Sequence, residues 1–263
     1  MGILRQLKVK DLVTLLGTTC GMISIIISLD GRFLWVSGAF IYFSMIFDLL
    51  DGLVAKIMKQ ANELGKQLDS LSDSICFGVA PAVLIYRYYS ELNSFAPIVL
   101  AILCVIYVFG AILRLTWFNI SQQEGYEGVT TPVTASILLS LFFIDLFYGY
   151  FPDMGPLLGK ILNYVIPISM IFLAYLNITR FLIYGKGVKS RENRKFALLL
   201  ILAMTIGLIA SILTFFDHTA TGPYIYGLCV AILVILTCYL IIGLCNFFRE
   251  RKILGSICES KAR

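Results

Sequence analysis

Long apolar segments, separated by short polar ones, run along almost the whole chain. Those bounded by charged or turn residues predict eight helices, over about residues 12–29, 33–56, 70–90, 95–120, 131–150, 158–184, 195–215 and 223–248. Each segment is close to the roughly 20 residues that a helix needs to cross a bilayer. The pattern therefore predicts an all-α, polytopic integral membrane protein with about eight transmembrane helices.

The composition agrees with this pattern. The chain has 263 residues, of which 59% are hydrophobic and 14% are charged. Soluble domains have about 45–50% apolar and about 25% charged residues, so a soluble globule and a disordered chain are both excluded. The seven cysteines include no CxxC pair and the chain has one histidine, which disfavours a disulfide framework, a zinc site and histidine-based catalysis.

The distribution of lysine and arginine predicts the orientation in the membrane. If eight helices cross, eighteen of these residues face one side, and Arg32, Arg87 and Lys160 face the other. Because cytoplasmic loops carry the excess of positive charge, both termini are expected in the cytoplasm, in a multi-pass protein of the cell membrane. This bias and contact with anionic lipid explain the net charge of +5, so no nucleic-acid partner is expected.

The two ends of the chain depart from the transmembrane pattern. Residues 1–10 mix apolar and basic side chains, which predicts a short segment lying in the membrane interface. Residues 249–263 predict a basic cytoplasmic tail. We find no internal repeat, which argues against an ion or solute transporter as the explanation for acids within membrane segments.

Four aspartates are the unusual feature of these segments. Asp48 and Asp51 lie near the cytoplasmic end of the second predicted helix, and Asp69 and Asp73 lie near that of the third. A charge deep in a membrane helix costs about 2.5–3.5 kcal/mol on insertion scales, so four acids imply a function. Spacings of three and four residues put each pair on one helix face. Since residues 57–68 connect the two helices, we expect the faces to converge.

Converging carboxylates favour a metal site. Two like charges about 5 Å apart repel by about 3 kcal/mol at an effective dielectric constant of 20. Oxygen ligands without Cys or His favour Mg²⁺, Mn²⁺ or Ca²⁺ over zinc. Four acids from two helices are suited to a pair of divalent cations, which stabilises charge in phosphoryl transfer.

Small residues accompany the acids. Gly52, Ala55 and Gly65 share their helix faces and would let a nucleotide or diphosphate approach the backbone. The alternative for the glycines is close helix packing, which is common in membranes. Lys56 would supply a cation for phosphate. Its alternative is a positive-inside loop, which is the preferred interpretation for Lys59 and Lys66.

These positions form a known pattern. The spacing D-x2-D-G-x2-A-K-x8-G-x3-D-x3-D over residues 48–73 resembles the signature of the CDP-alcohol phosphatidyltransferases. The family has arginine where this chain has Lys56, which keeps the charge but loses the bidentate fork. Every spacing and seven of the eight fixed positions match.

Further segments resemble the phosphatidylserine synthase branch of that family. Residues 69–82 resemble its continuation after the last acids, residues 114–119 its RLARFN segment, and residues 126–132 its following F-x-G-L-P-x-P turn. Trp117 replaces the second arginine of RLARFN, and Gly17 replaces the asparagine of an LTL-x-N segment near the start. The resemblance spans about residues 11–185, six helices that would form the family core. It gives no role to the two additional helices within residues 195–248.

The resemblance implies a function. The family moves a phosphatidyl group from a CDP-activated lipid to an alcohol and releases CMP. The four aspartates would hold two divalent cations, and Gly52, Ala55, Lys56 and Gly65 would contact the nucleotide and diphosphate. Asp73 would be the general base for the hydroxyl of L-serine. The donor would be CDP-diacylglycerol or an ether-lipid equivalent, and the family suggests a homodimer.

The acceptor is less constrained by the sequence. Arg114 is the cation that topology places nearest for a serine carboxylate, and Asn119 would bind the amine or the carboxylate. Arg114 has the alternative role of an interfacial anchor. Glycerol 3-phosphate, inositol phosphate or an amino alcohol are the alternative acceptors within the same chemistry. The loss of an arginine at Trp117 favours an acceptor without phosphate.

Overall fold

The computed structural model describes residues 7–58, 62–121, 126–150, 155–179, 183–184, 202, 205–207, 209, 212 and 218–261. In this part of the chain the helices are α1 (Val9–Asp30), α2 (Leu34–Met58), α3 (Glu63–Asp73), α4 (Ala80–Glu91), α5 (Pro97–Ile120), α6 (Thr131–Phe147), α7 (Pro156–Ile178) and α8 (His218–Lys261). A π-helical turn, Ser74–Val79, makes α3 and α4 continuous, and a 3₁₀ turn, Tyr148–Tyr150, follows α6.

Six helical segments in the described residues are long and apolar enough to cross a membrane. They are Val9–Asp30, Leu34–Met58, Glu63–Glu91, Pro97–Ile120, Leu157–Ile178 and Gly222–Asn246. Helix α6 is also apolar but has 17 residues. The prediction of an all-α, polytopic membrane protein is thus confirmed. The predicted helix over 195–215 falls mostly outside the described residues, although the described positions within it are helical.

Two helices begin earlier than the apolar pattern predicts. Helix α1 begins at Val9, so it includes Lys10. Helix α3 begins at Glu63 because the side chain of Asn62 caps it and accepts a hydrogen bond from the Gly65 N–H at 3.1 Å. The first two turns of α3 are polar, which is why hydropathy places the helix start too late. The connection between α2 and α3 therefore spans residues 59–62.

Two helices also end at residues that the sequence does not predict. Helix α7 ends at Ile178, whereas the apolar segment continues to residue 184. The residues beyond it include the strand β2 (Ile183–Tyr184), which pairs antiparallel with β1 (Tyr126–Glu127). This pairing joins the α5–α6 connection to the chain after α7. Helix α8 continues to Lys261, so it extends through most of the predicted tail.

Small side chains let the helices approach closely. The hydroxyl of Ser37 on α2 lies 2.8 Å from that of Ser24 and 2.6 Å from that of Ser28, both on α1. A methyl group added at Gly110 on α5 would lie 2.7 Å from Cα of Ala174 on α7. Such contacts hold membrane helices together where lipid gives no hydrophobic driving force.

The π-helical turn lies directly after Asp73. One carbonyl of this turn, that of Phe77, accepts a hydrogen bond from the buried hydroxyl of Tyr107 on α5 at 3.0 Å. Single π turns are rare and occur often at functional sites. Here the hydrogen bond from Tyr107 ties the turn to α5.

Candidate active site

The structure brings the aspartates of α2 and α3 together. Oxygens of Asp48, Asp51 and Asp69 all lie within 4.8 Å of one another. Asp51 is buried, and the other two are half-buried. The carboxyl group of Asp73 adjoins that of Asp48. The two helix faces therefore converge as the spacing predicts, although the role of each carboxylate stays a prediction.

The donor set fits divalent cations. Three carboxylates with oxygens this close, and a fourth beside them, offer only oxygen ligands, which Mg²⁺, Mn²⁺ and Ca²⁺ prefer. Without a cation, the four negative charges would repel one another in a partly buried site. The cluster could therefore hold metal through Asp48, Asp51 and Asp69, and Asp73 as a fourth ligand stays a prediction.

Helix α1 forms a third side of this cluster, which the sequence analysis missed. The Thr14 hydroxyl donates to Oδ2 of Asp51 at 2.6 Å. The Thr18 hydroxyl lies 2.7 Å from that of Ser72, next to Asp73 in the chain. Lys10, Thr14 and Thr18 are four residues apart and so share one face of α1. That polar stripe in an apolar helix was the signal available in the sequence.

A cavity of about 450 Å³ opens beside the acids. Its lining includes the three small residues of the signature, Gly52, Ala55 and Gly65, with Asp51 and Asp69. A methyl group added at Gly52 would meet nothing within 4 Å, so this residue faces open space. A methyl group at Gly65 would overlap the Lys10 ammonium group. Gly52 thus leaves room for a ligand, whereas Gly65 permits the close approach of α1 to α3.

The cations that line this cavity are Lys10 and Lys66. Lys10 is buried, and its ammonium group lies 3.3 Å from Oδ1 of Asp11. The Lys66 ammonium group donates to the Asn119 carbonyl at 3.1 Å and lies 6.0 Å from the centre of the Phe118 ring. Lys56 is exposed at the end of α2 and is not among the lining residues, so its contact with phosphate stays a prediction.

The two residues predicted for serine binding lie in different surroundings. The Asn119 amide donates to the Ser70 hydroxyl at 2.9 Å, which joins the end of α5 to α3. Its buried Oδ1 has no hydrogen-bond partner among the described residues. Arg114 lines a second cavity, of about 200 Å³, together with Trp117 and Asn177. The roles of both in binding serine stay predictions.

The fold and this cluster define a class of protein: an integral membrane protein with a carboxylate cluster that could hold metal, beside a ligand-sized cavity. The family model for CDP-alcohol phosphatidyltransferase matches residues 7–176. This region contains α1 to α6, most of α7 and all four aspartates. The chain belongs to the CDP-alcohol phosphatidyltransferase family.

Individual relatives match part of the chain. One is the CDP-diacylglycerol–serine O-phosphatidyltransferase of Methanocaldococcus jannaschii, 34% identical over 63% of this chain and 71% of the relative. Another is the archaetidylserine synthase of Methanothermobacter thermautotrophicus, 36% identical over 54% and 60% of the two chains. The CDP-diacylglycerol–serine O-phosphatidyltransferase of Saccharomyces cerevisiae is 30% identical over 52% and 54%.

Proposed function

We propose that this protein is a phosphatidylserine synthase. It transfers the phosphatidyl group of CDP-diacylglycerol, or the corresponding group of an ether-linked CDP-lipid, to the hydroxyl of L-serine and releases CMP. The observation that carries the proposal is the cluster of Asp48, Asp51 and Asp69, whose oxygens lie within 4.8 Å of one another. The cluster borders a cavity lined by Gly52, Ala55 and Gly65. The names of the relatives supply the donor and acceptor classes.

The four aspartates are proposed to bind two divalent cations, Mg²⁺ or Mn²⁺, with Ca²⁺ as a further candidate. When bound, such ions neutralise the diphosphate and stabilise the charge that develops on the leaving phosphate. The protein's own contribution is to hold the carboxylates in place. Thr14 does this for Asp51, and the capped α3 helix does it for Asp69.

The donor is proposed to lie in the 450 Å³ cavity. Gly52 and Ala55 expose the backbone of α2 to it, so that a nucleotide or diphosphate can approach without a side chain between them. Gly65 forms part of the opposite side, on α3. Lys56 lies one residue after Ala55 and is proposed to reach the phosphates from the exposed end of α2.

Asp73 is proposed as the general base. It accepts the proton of the serine hydroxyl as that oxygen attacks the lipid-bearing phosphorus. A phosphorus–oxygen bond to serine forms, and the bond from this phosphorus to the oxygen of CMP breaks. The position of Asp73 beside Asp48, at the start of a π-helical turn, supports this assignment.

Arg114 and Asn119 are proposed to bind serine. The guanidinium group would bind the serine carboxylate. The buried Oδ1 of Asn119, which lacks a partner among the described residues, would accept a hydrogen bond from the serine ammonium group. Glycerol 3-phosphate, inositol phosphate and amino alcohols are the alternative acceptors, and the serine-specific names of the relatives do not favour them.

The placement in the cell is also part of the proposal. The excess of lysine and arginine on one side supports a site and both termini on the cytoplasmic face of the cell membrane. We propose an interfacial segment at 1–10, a catalytic core at 11–185, two additional helices within 195–248 and a basic segment at 249–263. The functional unit is proposed to be a homodimer.

Incorporation of labelled serine tests the proposed function. Purified protein with Mn²⁺ or Mg²⁺ is supplied with L-[¹⁴C]serine and either CDP-diacylglycerol or its ether-linked counterpart. Label should enter the chloroform-soluble fraction, and mass spectrometry should identify the serine phospholipid. Asp73→Asn should abolish this labelling. A well-folded, metal-loaded protein that labels no lipid with either donor would contradict the proposal.

A further inference from the structure

Lys10 is a buried cation that faces the same cavity as the acids. It is 9% exposed and lies on the second residue of α1, ahead of Thr14 on the same helix face. It lines the 450 Å³ cavity together with Gly52 and Ala55 of α2. It is also close enough to Asp51 and Asp69 to interact electrostatically with both.

The protein's own contacts do not use the full binding capacity of this ammonium group. Its single ion pair in the described part of the chain is the one with Asp11, at 3.3 Å. Asp11 already has another structural role, since its Oδ2 accepts a hydrogen bond from the Lys8 N–H at 2.8 Å and so caps α1. An ammonium group carries three donors, so Lys10 keeps donors that can face the cavity.

Gly65 keeps the Lys10 ammonium group at this position. A methyl group added at Gly65 would overlap the ammonium nitrogen, so a glycine on α3 is what lets this cation lie against the helix backbone. The cation thus lies beside Asp69, which is four residues after Gly65 and on the same face of α3. A ligand between the acids and Lys10 would meet negative charge on one side and positive charge on the other.

We infer that Lys10 binds the diphosphate of the CDP-lipid donor. The inference rests on the proposed function, because it takes the donor from there. A diphosphate between the carboxylate site and a buried ammonium group would have its charge balanced from both sides. Lys10 would be the cation that α1 contributes to a site whose acids come from α2 and α3.

If Lys10 had a purely structural role, it would only neutralise Asp11. A double variant distinguishes this role from binding of the diphosphate. Lys10→Met alone leaves the Asp11 carboxylate buried without its cation, and such an unpaired buried charge strongly destabilises the folded protein. Lys10→Met combined with Asp11→Asn removes both charges and retains an oxygen that can cap α1. If Lys10 serves Asp11 alone, the double variant binds donor as the wild type does.

The experiment measures binding of labelled CDP to Mn²⁺-loaded protein in detergent by equilibrium dialysis, with cytidine as a competitor without phosphates. We expect Lys10→Met and the double variant to weaken CDP binding about 10- to 100-fold, the range for one charge-assisted hydrogen bond, and to leave cytidine binding unchanged. Lys10→Arg should stay within about threefold of the wild type, since it keeps the charge.

Lys160→Met is the matched control. Lys160 is exposed near the start of α7 and is not among the residues that line the 450 Å³ cavity. The Lys160→Met variant should therefore bind CDP as the wild type does. Wild-type-like CDP binding by the double variant overturns the inference, as does an equal loss of CDP and cytidine binding. If the wild type itself binds no CDP, the proposed function fails as well, so the two failures are distinguishable.

Discussion

The hydroxyl of Thr14 donates a hydrogen bond to Oδ2 of Asp51 at 2.6 Å, and both side chains are buried. The bond joins α1 to the carboxylate cluster, although the two residues are 37 positions apart in the chain. Helix α1 therefore orients a carboxylate that belongs to α2.

Removal of this hydroxyl should weaken metal binding. Thr14→Val keeps the shape of the side chain and deletes the donor. Groups that orient a metal ligand typically contribute 10- to 100-fold in metal affinity or activity, so we expect a loss of about tenfold in Mn²⁺ affinity. Titration of Mn²⁺ followed by electron paramagnetic resonance measures it directly.

Two variants make that result specific. Thr14→Ser keeps the hydroxyl and should bind Mn²⁺ as the wild type does. Thr19→Val deletes an exposed hydroxyl whose hydrogen bond, to the Leu15 carbonyl, stays within α1. An equal loss of affinity in Thr19→Val, or none in Thr14→Val, would show that the Thr14–Asp51 bond does not position a metal ligand.

Asp73 should be essential for the chemical step. Asp73→Asn removes the proposed proton acceptor, and general bases contribute about 10²- to 10⁴-fold to rate. We expect a fall in kcat of that size, measured as CMP release at saturating serine and donor.

Asp145→Asn is the matched control for this prediction. Asp145 is a buried aspartate on α6 that accepts a hydrogen bond from the Tyr89 hydroxyl at 2.9 Å, remote in the chain from the signature. An asparagine oxygen can still accept that bond, so kcat should be retained. If kcat fell as far in Asp145→Asn as in Asp73→Asn, the removal of any buried carboxylate would explain the fall, and Asp73 would not be the general base.

The two glycines of the signature should behave differently when replaced by alanine. A methyl group at Gly52 enters open space in the cavity, so Gly52→Ala should keep its thermal stability and raise KM for the CDP-lipid. A methyl group at Gly65 would overlap the Lys10 ammonium group and the Oδ1 atoms of Asn62 and Asp11, which both cap helices, and such overpacking typically costs about 1–3 kcal/mol of stability. Thermal unfolding in detergent and KM measured side by side separate the two. If Gly52→Ala and Gly65→Ala changed the melting temperature and the KM for the CDP-lipid to the same extent, this result would argue against a ligand beside Gly52.

Much of the carboxylate site was predictable from local spacing. The separations of Asp48 from Asp51 and of Asp69 from Asp73 place each pair on one helix face, and a short connection brings those faces together. The contribution of α1 was not predicted: the four-residue spacing of Lys10, Thr14 and Thr18 marks a polar helix face, but it does not say that this face contacts Asp51, which is 37 positions away in the chain. Lys10 was predicted to belong to an interfacial segment, because hydropathy reports only where the apolar residues begin, whereas α1 begins at Val9.

The helix boundaries show the same limit. The start of α3 depends on one hydrogen bond between Asn62 and the Gly65 N–H, not on apolar residues. The end of α7 precedes a strand pairing between residues that are 56 to 58 positions apart. Both features depend on individual polar contacts, whereas the all-α membrane class depends on bulk hydrophobicity, which the composition of the sequence reports directly.

Arg114 should determine the affinity for serine. Arg114→Gln removes the positive charge and keeps a polar side chain at the 200 Å³ cavity. Loss of one charge-assisted contact predicts a rise in KM for serine of about 10- to 100-fold, with KM for the CDP-lipid unchanged. Steady-state kinetics with each substrate varied in turn measures both values.

The control for this prediction is Arg87→Gln. Arg87 forms an ion pair with Glu91 at 2.6 Å, and both residues belong to α4. The Arg87→Gln variant should therefore leave both KM values unchanged. If Arg114→Gln raised the KM for the CDP-lipid and left the KM for serine unchanged, Arg114 would bind the CDP-lipid and not serine.

At the aspartate cluster, the phosphatidyl group of the CDP-lipid is proposed to pass to the hydroxyl of serine. The most direct measurement is CMP release from CDP-diacylglycerol, and from its ether-linked counterpart, with serine, glycerol 3-phosphate, inositol phosphate or ethanolamine as the acceptor. We predict release with serine alone, and release at least about 100-fold slower from Asp73→Asn. CMP release with a phosphorylated acceptor and not with serine would contradict the proposed function, as would undiminished CMP release from Asp73→Asn.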